Sequence, residues 1–366
     1  MCYHLSMVKA AQYRHPKRLE AGQEVPAVSI IVIVEDNIDL LVENLPQLMV
    51  QDHPQFEVVV VNDCGGDDIT AALITLAAQY PNLKYTCIKP DIRFKHSRKI
   101  PLVVGIKAAT YENLIFTDLD TAPRSPHWAW SMARGFVGRE IVIGVSTVAQ
   151  CKGLANQLIR GSSLSHTMRY LRAATRGKSY RGTLYNIGYT KHIFFKSNGY
   201  THLRLALGED DLFIQKVSTP TNTTVIFSPK ATVEQNAWGG LLWWWRLQRF
   251  TSYSFRYYPT AIKRGQAAEL TCRAVFHITW LALLSLGVVA LFLSINYGFP
   301  ITFLCTATGL WLLRELVVWM GGRLFSKRMG LRKVMMGYMV HDWFAPLSLA
   351  LLTISRRIKP AEGLWK

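Results

Sequence analysis

The stretch VSIIVIVEDN, from Val28 to Asn37, decides the fold class of this 366-residue chain. Its first part, Val28–Val34, is almost entirely apolar and rich in β-branched residues, which is typical of a strand buried on both faces of a parallel sheet. A second stretch of this kind, FEVVVVND, covers Phe56–Asp63. Between them, Asp39–Gln51 has its leucines at helical intervals. We therefore predict a strand, a helix and a parallel strand, the βαβ unit of α/β proteins.

The same alternation continues for another sixty residues. We predict helices over Asp68–Gln79 and Pro101–Thr110, and strands over Lys84–Ile88 and Asn113–Asp120. Ligands of such sheets bind beyond the carboxyl ends of the strands. The acidic side chains expected there are Glu35, Asp36, Asp63, Asp118 and Asp120.

Composition separates this α/β part from an apolar C-terminal part. The net charge is +18, yet 50% of residues are hydrophobic and only 18% are charged, which excludes a disordered or nucleic-acid-binding protein. Residues 278–295 form an 18-residue run without a charge, and a second run covers 301–320. About 20 residues of helix cross an apolar bilayer core, so we predict two membrane spans. The alternative is a helical hairpin buried in a soluble protein.

A third apolar run, Val334–Ser355, contains His341 and Asp342. A full crossing would bury these two side chains near the middle of the membrane, which is costly unless they pair with Arg314 or Glu315. We predict instead a re-entrant or interfacial segment, with the C-terminus in the cytosol.

Loop charge and cysteine usage predict the orientation of the chain. Loop 321–333 carries five basic residues and no acid, as the positive-inside rule requires of a cytosolic loop. No apolar signal-peptide core occurs in residues 1–27, and the scattered cysteines have no metal-binding spacing.

The predicted divisions are a basic segment 1–27, an α/β domain 28–237, an interfacial aromatic segment 238–270 and a transmembrane region 271–366.

Asp118 and Asp120 lie two residues apart at the end of a predicted strand, which would direct both side chains to one face. Such oxygen ligands suit Mg²⁺ or Mn²⁺. The alternative is an Asp-rich turn that caps the next loop. Asp63, which precedes two glycines, is likewise compatible with ordinary turn chemistry.

Two further segments carry candidate chemistry. In GEDDLF (Gly208–Phe213), three adjacent acids next to apolar residues favour a raised carboxyl pKa and hence a general base. A helix N-terminus with favourable acids is the alternative. In WWWRLQRF, Arg246 and Arg249 share a helical face among aromatic residues. They are compatible with a diphosphate clamp and with an interfacial helix facing lipid phosphates.

Taken in order, these segments resemble the inverting family 2 glycosyltransferases with a GT-A domain, in particular the membrane-anchored bacterial kind. The resemblance covers nearly all of 26–366. VVVVNDCGGDD is similar to the V-V-D-D-G-S-x-D element, FTDLDTAP to the D-x-D segment, GEDDLF to the E-D segment and RLQRF to Q-x-x-R-W. The implied fold is a Rossmann-like, mostly parallel GT-A domain followed by transmembrane helices.

The resemblance also implies roles for the donor site. Asp63 would bind the nucleotide base, Asp118 would lie near the ribose, and Asp120 would bind a Mg²⁺ or Mn²⁺ ion that bridges the diphosphate. Arg98 and Lys99 match a basic element that faces the nucleotide.

For the transfer itself, the resemblance implies that Asp210 deprotonates the acceptor hydroxyl, with Glu209 as its neighbour in the motif. Arg246 and Arg249 would close over the donor diphosphate and the acceptor sugar. The expected partners are a nucleotide diphosphate sugar, a lipid-linked or glycan acceptor and membrane lipids. The expected location is the bacterial inner membrane, as a multi-pass protein of cell-envelope polysaccharide synthesis with a cytosolic catalytic domain.

The chain departs from the family pattern at several positions. Asn62 replaces an acid, Glu35 reverses a charge near the nucleotide, and Arg246 and Phe250 replace the Gln and Trp of Q-x-x-R-W. Relatives often carry a membrane helix before the catalytic domain, so a truncated start site is one expectation. A nucleotidyltransferase and a non-catalytic membrane scaffold with the same fold remain the alternatives.

Overall fold

In a computed structural model, the chain is described for residues 2–14, 24–89, 98–201, 208–237, 239–252, 254–293 and 298–358. Its strands are β1 (Val28–Val34), β2 (Phe56–Asp63), β3 (Leu83–Ile88), β4 (Asn113–Phe116), β5 (Thr121–Pro123), β6 (Ile141–Ile143), β7 (Val145–Val148), β8 (Ile187–Thr190), β9 (Thr223–Val225) and β10 (Thr232–Gln235).

The helices of the α/β part are α1 (Cys2–Ala11), α2 (Ile38–Met49), α3 (Asp67–Gln79), α4 (Lys99–Ala108), α5 (Trp128–Ala133), α6 (Leu154–Thr175), α7 (Lys191–Lys196) and α8 (Asp211–Val217). They are followed by α9 (Leu241–Thr251), α10 (Thr260–Phe292), α11 (Gly298–Arg328) and α12 (Met335–Ile358).

The main sheet has seven strands in the order β3-β2-β1-β4-β8-β6-β9. Strands β3, β2, β1 and β4 run parallel, and β8 is antiparallel to both of its neighbours. Every residue of β1 is buried, which confirms a strand covered on both faces. A smaller sheet, β5-β10-β7, lies beside the end of β4. The predicted mostly parallel α/β fold is confirmed.

The fourth strand is shorter than predicted. Strand β4 ends at Phe116, and the backbone N–H of Thr121 donates to the carbonyl of Asp118 at 3.1 Å, which closes a turn over Asp118–Thr121. The hydroxyl of Thr121 donates to the same carbonyl at 2.7 Å. The extension of this strand to Asp120 is therefore wrong, because local threonine and carbonyl hydrogen bonds turn the chain into β5.

Two described helices, α10 and most of α11, are long and apolar enough to cross a membrane. Their side chains are largely exposed: the most apolar window of α10 is 11% buried and that of α11 is 28% buried. Exposed examples on α10 include Ile278 and Phe292. A hairpin buried in a soluble protein would instead cover these residues.

Asp342 pairs with Arg314, which is the condition under which its burial in a full crossing would be tolerated. Asp342 is 1% exposed on α12, and its carboxylate forms ion pairs with Arg314 of α11 and, at 2.6 Å, with Arg273 of α10. Arg314 also pairs with Glu315 at 2.5 Å. The two arginines compensate the buried carboxylate and tie the last three helices together.

Helix α12 packs lengthwise on α6. A Cβ on Gly337 would lie 1.9 Å from the carbonyl oxygen of Gln157, so only glycine permits this approach of the two backbones. The turn between α11 and α12 also contacts the α/β part: Arg160 donates to the carbonyl of Arg332 at 2.9 Å, and Arg124 donates to that of Gly330 at 3.1 Å. The end of α11 thus returns to the side from which α10 departs.

Candidate active site

The carboxyl ends of β1, β2 and β4 bring three predicted acids together. Glu35 follows β1, Asp63 ends β2 and Asp118 follows β4. Burial raises the pKa of Glu35; the Arg98 guanidinium opposes that shift, and the charges of Asp63 and Asp118 add to it. The structure therefore gathers these residues at one edge of the sheet, where parallel α/β sheets bind ligands.

The turn after β2 depends on Asn62, the residue that departs from the family pattern. Its side-chain oxygen accepts from the Gly65 N–H at 2.8 Å, and its amide donates to Thr70 Oγ1 at 3.1 Å. A Cβ on Gly65 would lie 2.3 Å from the carbonyl oxygen of Glu35, so glycine is required where the turn meets the end of β1. Asn62 thus shapes the loop beside Asp63.

Arg98 and Lys99 lie at the start of α4, close to the acids. The Arg98 guanidinium donates to Asp118 in an ion pair. Burial disfavours its charged form, but Asp118 and Glu209 outweigh this effect and raise the pKa of Arg98. Burial lowers the pKa of Lys99, and the charge of Glu209 opposes that shift. The two cations therefore join the strand-end acids to the Glu209–Asp210 segment.

Asp120 has one satisfied and one unsatisfied carboxylate oxygen. Its Oδ2 accepts from the Gln235 amide at 3.0 Å, whereas Oδ1 is buried and has no hydrogen-bond partner among the described residues. Burial, then the charge of Asp118, raises the pKa of Asp120 to about 7. A buried, unpaired carboxylate oxygen fits a divalent cation, which prefers oxygen ligands. No cluster of three or more His, Cys, Asp or Glu ligands occurs within the described ranges.

The three adjacent acids Glu209, Asp210 and Asp211, which we call the acidic triplet, have different surroundings. Asp211 is 2% exposed, and its Oδ2 accepts from the Tyr258 hydroxyl at 2.5 Å and from the Ser254 hydroxyl. Asp210 is half-buried at the N-terminus of α8 and accepts from the Asp211 N–H at 2.8 Å. Asp211 is thus held by structural hydrogen bonds, whereas Asp210 makes a local cap.

Burial, followed by the charges of Asp211 and Glu209, raises the pKa of Asp210 to about 8. Glu209 is 5% exposed, burial raises its pKa, and its Oε2 has no hydrogen-bond partner among the described residues. Asp210 is therefore suited to gain and lose a proton near neutral pH. The cap predicted as an alternative is also present at the same residue.

Two residues of the site could not be predicted from the sequence. Arg181 and Tyr185 lie in the connection between α6 and β8. The charge of Arg181 acts on Asp210 and Asp211, and the pKa of Tyr185 is raised by burial and then by Asp120. They follow a helix whose serine-rich sequence gave no clear pattern, so only the fold brings them to the carboxylates.

Arg246 and Arg249 lie on α9. Arg246 is exposed and Arg249 is half-buried. The helix packs against α6 and α12, where the Trp244 indole N–H donates to Ser162 Oγ at 3.2 Å. Trp238 and the side chain of Phe250, from the same predicted segment, lie outside the described residues. The clamp role of the two arginines stays a prediction.

A cleft of about 320 Å³ lies between α6, α9 and α12, and its walls include Leu241, Trp244 and Phe344. A smaller cavity of about 70 Å³ shares His166 and Gln248 with this cleft, and Arg181 and Tyr258 line it as well. Tyr258 donates to Asp211, so the smaller cavity lies beside the acidic triplet.

Comparisons with known proteins agree with this architecture. The model of glycosyl transferase family 21 matches residues 1–173. Curated proteins give no significant match by sequence. The fold is similar to that of the mannosyltransferase PcManGT from Pyrobaculum calidifontis in complex with GDP-Man and Mn²⁺, with a TM-score of 0.50 and 14% identity over 94% of each chain. A structure of S. aureus TarS 1–349 in complex with UDP-GlcNAc gives a TM-score of 0.44 and 18% identity over 88% of this chain and 92% of that chain.

The sequence resemblance to GT-A glycosyltransferases is thus confirmed, with family 21 as the matching family. The chain has the GT-A fold, and its match to glycosyl transferase family 21 over residues 1–173 supports a transferase.

Proposed function

We propose that this protein transfers a sugar from a nucleotide diphosphate sugar to a hydroxyl group of a membrane-associated acceptor, with inversion at the anomeric carbon. The observation that carries the proposal is the convergence of Asp118, Asp120 and Glu209 around Arg98 at the carboxyl edge of the sheet, with Asp210 next to Glu209 and facing Arg181. One site therefore contains residues that could bind the donor, bind a cation and act as the general base.

For donor binding, Asp63 contacts the nucleotide base and Asp118 lies near the ribose. Arg98 and Lys99 bind the diphosphate. The support for these roles is that Arg98 is already paired with Asp118 and that Lys99 is near Glu209. A cation that is held in place before the reaction stabilises charge that develops on a leaving group without reorganisation.

The transfer is a single displacement. The acceptor oxygen forms a bond to the anomeric carbon while the bond from that carbon to the diphosphate oxygen breaks. Asp210 takes the acceptor proton, and the nucleoside diphosphate leaves with the electron pair. The raised pKa of Asp210 makes it a stronger base than an ordinary aspartate, and Arg181 opposes a further rise.

Mg²⁺ or Mn²⁺ is the proposed cofactor, and Asp120 is the proposed ligand. The fit is supported by the unpaired Oδ1 of Asp120 and by Gln235, which holds the other oxygen in place. When bound, such a cation neutralises charge on the diphosphate. The presence of Mn²⁺ in the PcManGT complex, a protein of the same fold, supports the choice of ion.

A membrane-associated acceptor is supported by the apolar cleft between α6, α9 and α12, which shares lining residues with the smaller cavity beside the acidic triplet. The exposed apolar surfaces of α10 and α11 support a membrane location, with the α/β domain in the cytosol, where nucleotide sugars occur. Because α11 returns to the α/β domain, the basic segment 321–333, which comprises the end of α11 and the turn after it, would be cytosolic too. The packing of α12 on α6 supports an interfacial rather than a spanning third segment.

A donor panel tests this function. Purified full-length protein with Mn²⁺ and a membrane lipid extract is incubated with GDP-mannose, UDP-GlcNAc and related donors, and products are identified by mass spectrometry. We expect one glycosylated lipid or glycan and release of the nucleoside diphosphate. Release of pyrophosphate would identify a nucleotidyltransferase, and no turnover of any donor would favour a non-catalytic scaffold.

A further inference from the structure

A third cavity lies between α6, α10 and α11. Its volume is about 990 Å³. We call it the basic cavity, because its walls contain the cations Arg169, Arg172, Arg176, Lys178, Arg273 and Arg314. Three carboxylates, those of Glu269, Asp342 and Glu315, pair with Arg169, Arg273 and Arg314, which leaves more basic than acidic side chains around the cavity. Such an excess of positive charge in a concave site attracts anions.

The basic wall is built largely by one face of α6. Arg169, Arg172 and Arg176 are spaced by three and four residues, so they project from the same side of the helix. The Glu269 carboxylate forms ion pairs with Arg169 at 3.2 Å and with Arg273 at 2.6 Å. Its negative charge is therefore already matched by these two arginines. Arg176 and Lys178 are exposed on the same wall and form no ion pair among the described residues, so they add positive charge to it.

Part of the lining of the basic cavity is apolar. Phe276 of α10 and Leu310 and Leu313 of α11 line it. Beyond them the same two helices expose apolar residues such as Leu281 and Leu316. A ligand that fills the basic cavity therefore needs an anionic end toward α6 and an apolar end along α10 and α11.

We propose that the basic cavity binds an anionic phospholipid, with its phosphate headgroup among the arginines of α6 and its acyl chains along α10 and α11. This rests on the membrane location within the proposed function and not on sugar transfer. Clusters of basic residues next to membrane helices are recognised by anionic headgroups through the same electrostatics.

The position of the basic cavity links it to the proposed active site. Tyr180 forms part of its wall, and the Tyr180 ring lies 5.8 Å from the ring of Tyr258 in an edge-to-face contact. Tyr258 donates to Asp211 at 2.5 Å. A lipid bound in the basic cavity is thus separated from the acidic triplet by two aromatic side chains.

Lipid binding is tested without any sugar donor. Full-length protein in neutral detergent is titrated with short-chain phosphatidylglycerol or phosphatidylcholine, and bound lipid is counted by native mass spectrometry. The charge variant is R176Q/K178Q, since both side chains are exposed. The matched control is K196Q/K230Q, which removes two exposed lysines that do not line the basic cavity.

A second variant blocks the basic cavity without a change of charge. Gly265 lines the basic cavity, and a Cβ there meets nothing within 4 Å, so Gly265→Leu places its side chain in open space. Gly309→Leu is its control, because a Cβ on Gly309 also meets nothing within 4 Å and this residue does not line the basic cavity.

We expect the parent to bind phosphatidylglycerol in preference to phosphatidylcholine. One basic residue near an anionic headgroup is worth about fivefold in affinity, so R176Q/K178Q should bind about 25-fold more weakly. Gly265→Leu should also lose binding, and both controls should retain it. Equal binding by parent and R176Q/K178Q, equal losses in variants and controls, or displacement by excess inorganic phosphate would each overturn the proposal.

Discussion

The acidic triplet yields a double prediction, because Asp210 and Asp211 have different surroundings. Asp210→Asn keeps an oxygen that accepts from the Asp211 N–H, so the start of α8 is preserved. The variant loses proton acceptance, and turnover should fall roughly 10²–10⁴-fold while donor binding survives. Asp211→Asn instead weakens charge-assisted hydrogen bonds from Ser254 and Tyr258. Bonds to a charged group contribute about 1.5–3 kcal/mol each, so the variant should lose about 3 kcal/mol of unfolding free energy.

The pH dependence of stability sharpens the Asp210 prediction. Its folded pKa of about 8 is above the usual aspartate value, so its contribution to stability is fully present in acid and is lost as pH rises toward 8. Between pH 6 and 8, the parent should lose about 2 kcal/mol relative to Asp210→Asn.

Turnover is measured by release of nucleoside diphosphate, donor binding by nucleotide competition, and stability by thermal unfolding in detergent at both pH values. An active Asp210→Asn together with a folded but inactive Asp211→Asn would refute the assignment and move the base by one residue.

Three further predictions concern the metal, the helix core and the topology. Asp120→Asn should abolish transfer and weaken Mn²⁺ binding, which is measured by calorimetry. In the parent, Mn²⁺ affinity should rise with pH up to about 7 as the Asp120 carboxyl ionises. Full activity in EDTA would contradict this prediction. Asp342→Asn should cost about 3 kcal/mol of unfolding free energy, because it leaves two buried arginines undercompensated; an unchanged melting temperature would show that the pairs contribute nothing. Cysteines at the exposed Lys327 and at Ser355, in a Cys-free background, should both be protected from an impermeant thiol reagent in intact cells; labelling at Ser355 alone would demonstrate three full crossings.

The sheet was largely predictable because its pattern is continuous. Strands β1 and β2 have the predicted bounds, since runs of buried β-branched residues admit few other structures. The D-x-D segment was predicted as strand because its composition is compatible with one, but the hydroxyls of Thr117 and Thr121, 2.8 Å apart, belong to a turn. Such local hydrogen bonds do not appear in a hydrophobicity pattern.

Helix α6 was not predictable for a related reason. Its buried residues include Ser162, Ser163 and Ser165, which replace the usual apolar stripe, and the helix packs against α12. Arg181 and Tyr185 follow this helix and were missed with it. The acids at the strand ends were found because parallel strands end at a common edge, whereas residues from irregular connections need the three-dimensional fold.

The most direct test of the central claim follows one reaction by NMR. Full-length protein, Mn²⁺, an α-linked nucleotide sugar that the donor panel identifies and its acceptor are incubated together, while ¹H and ³¹P spectra are recorded. The account predicts one nucleoside diphosphate per transferred sugar, a β-linked product, and neither with Asp210→Asn. An α-linked product, pyrophosphate, or unchanged turnover in that variant would contradict it.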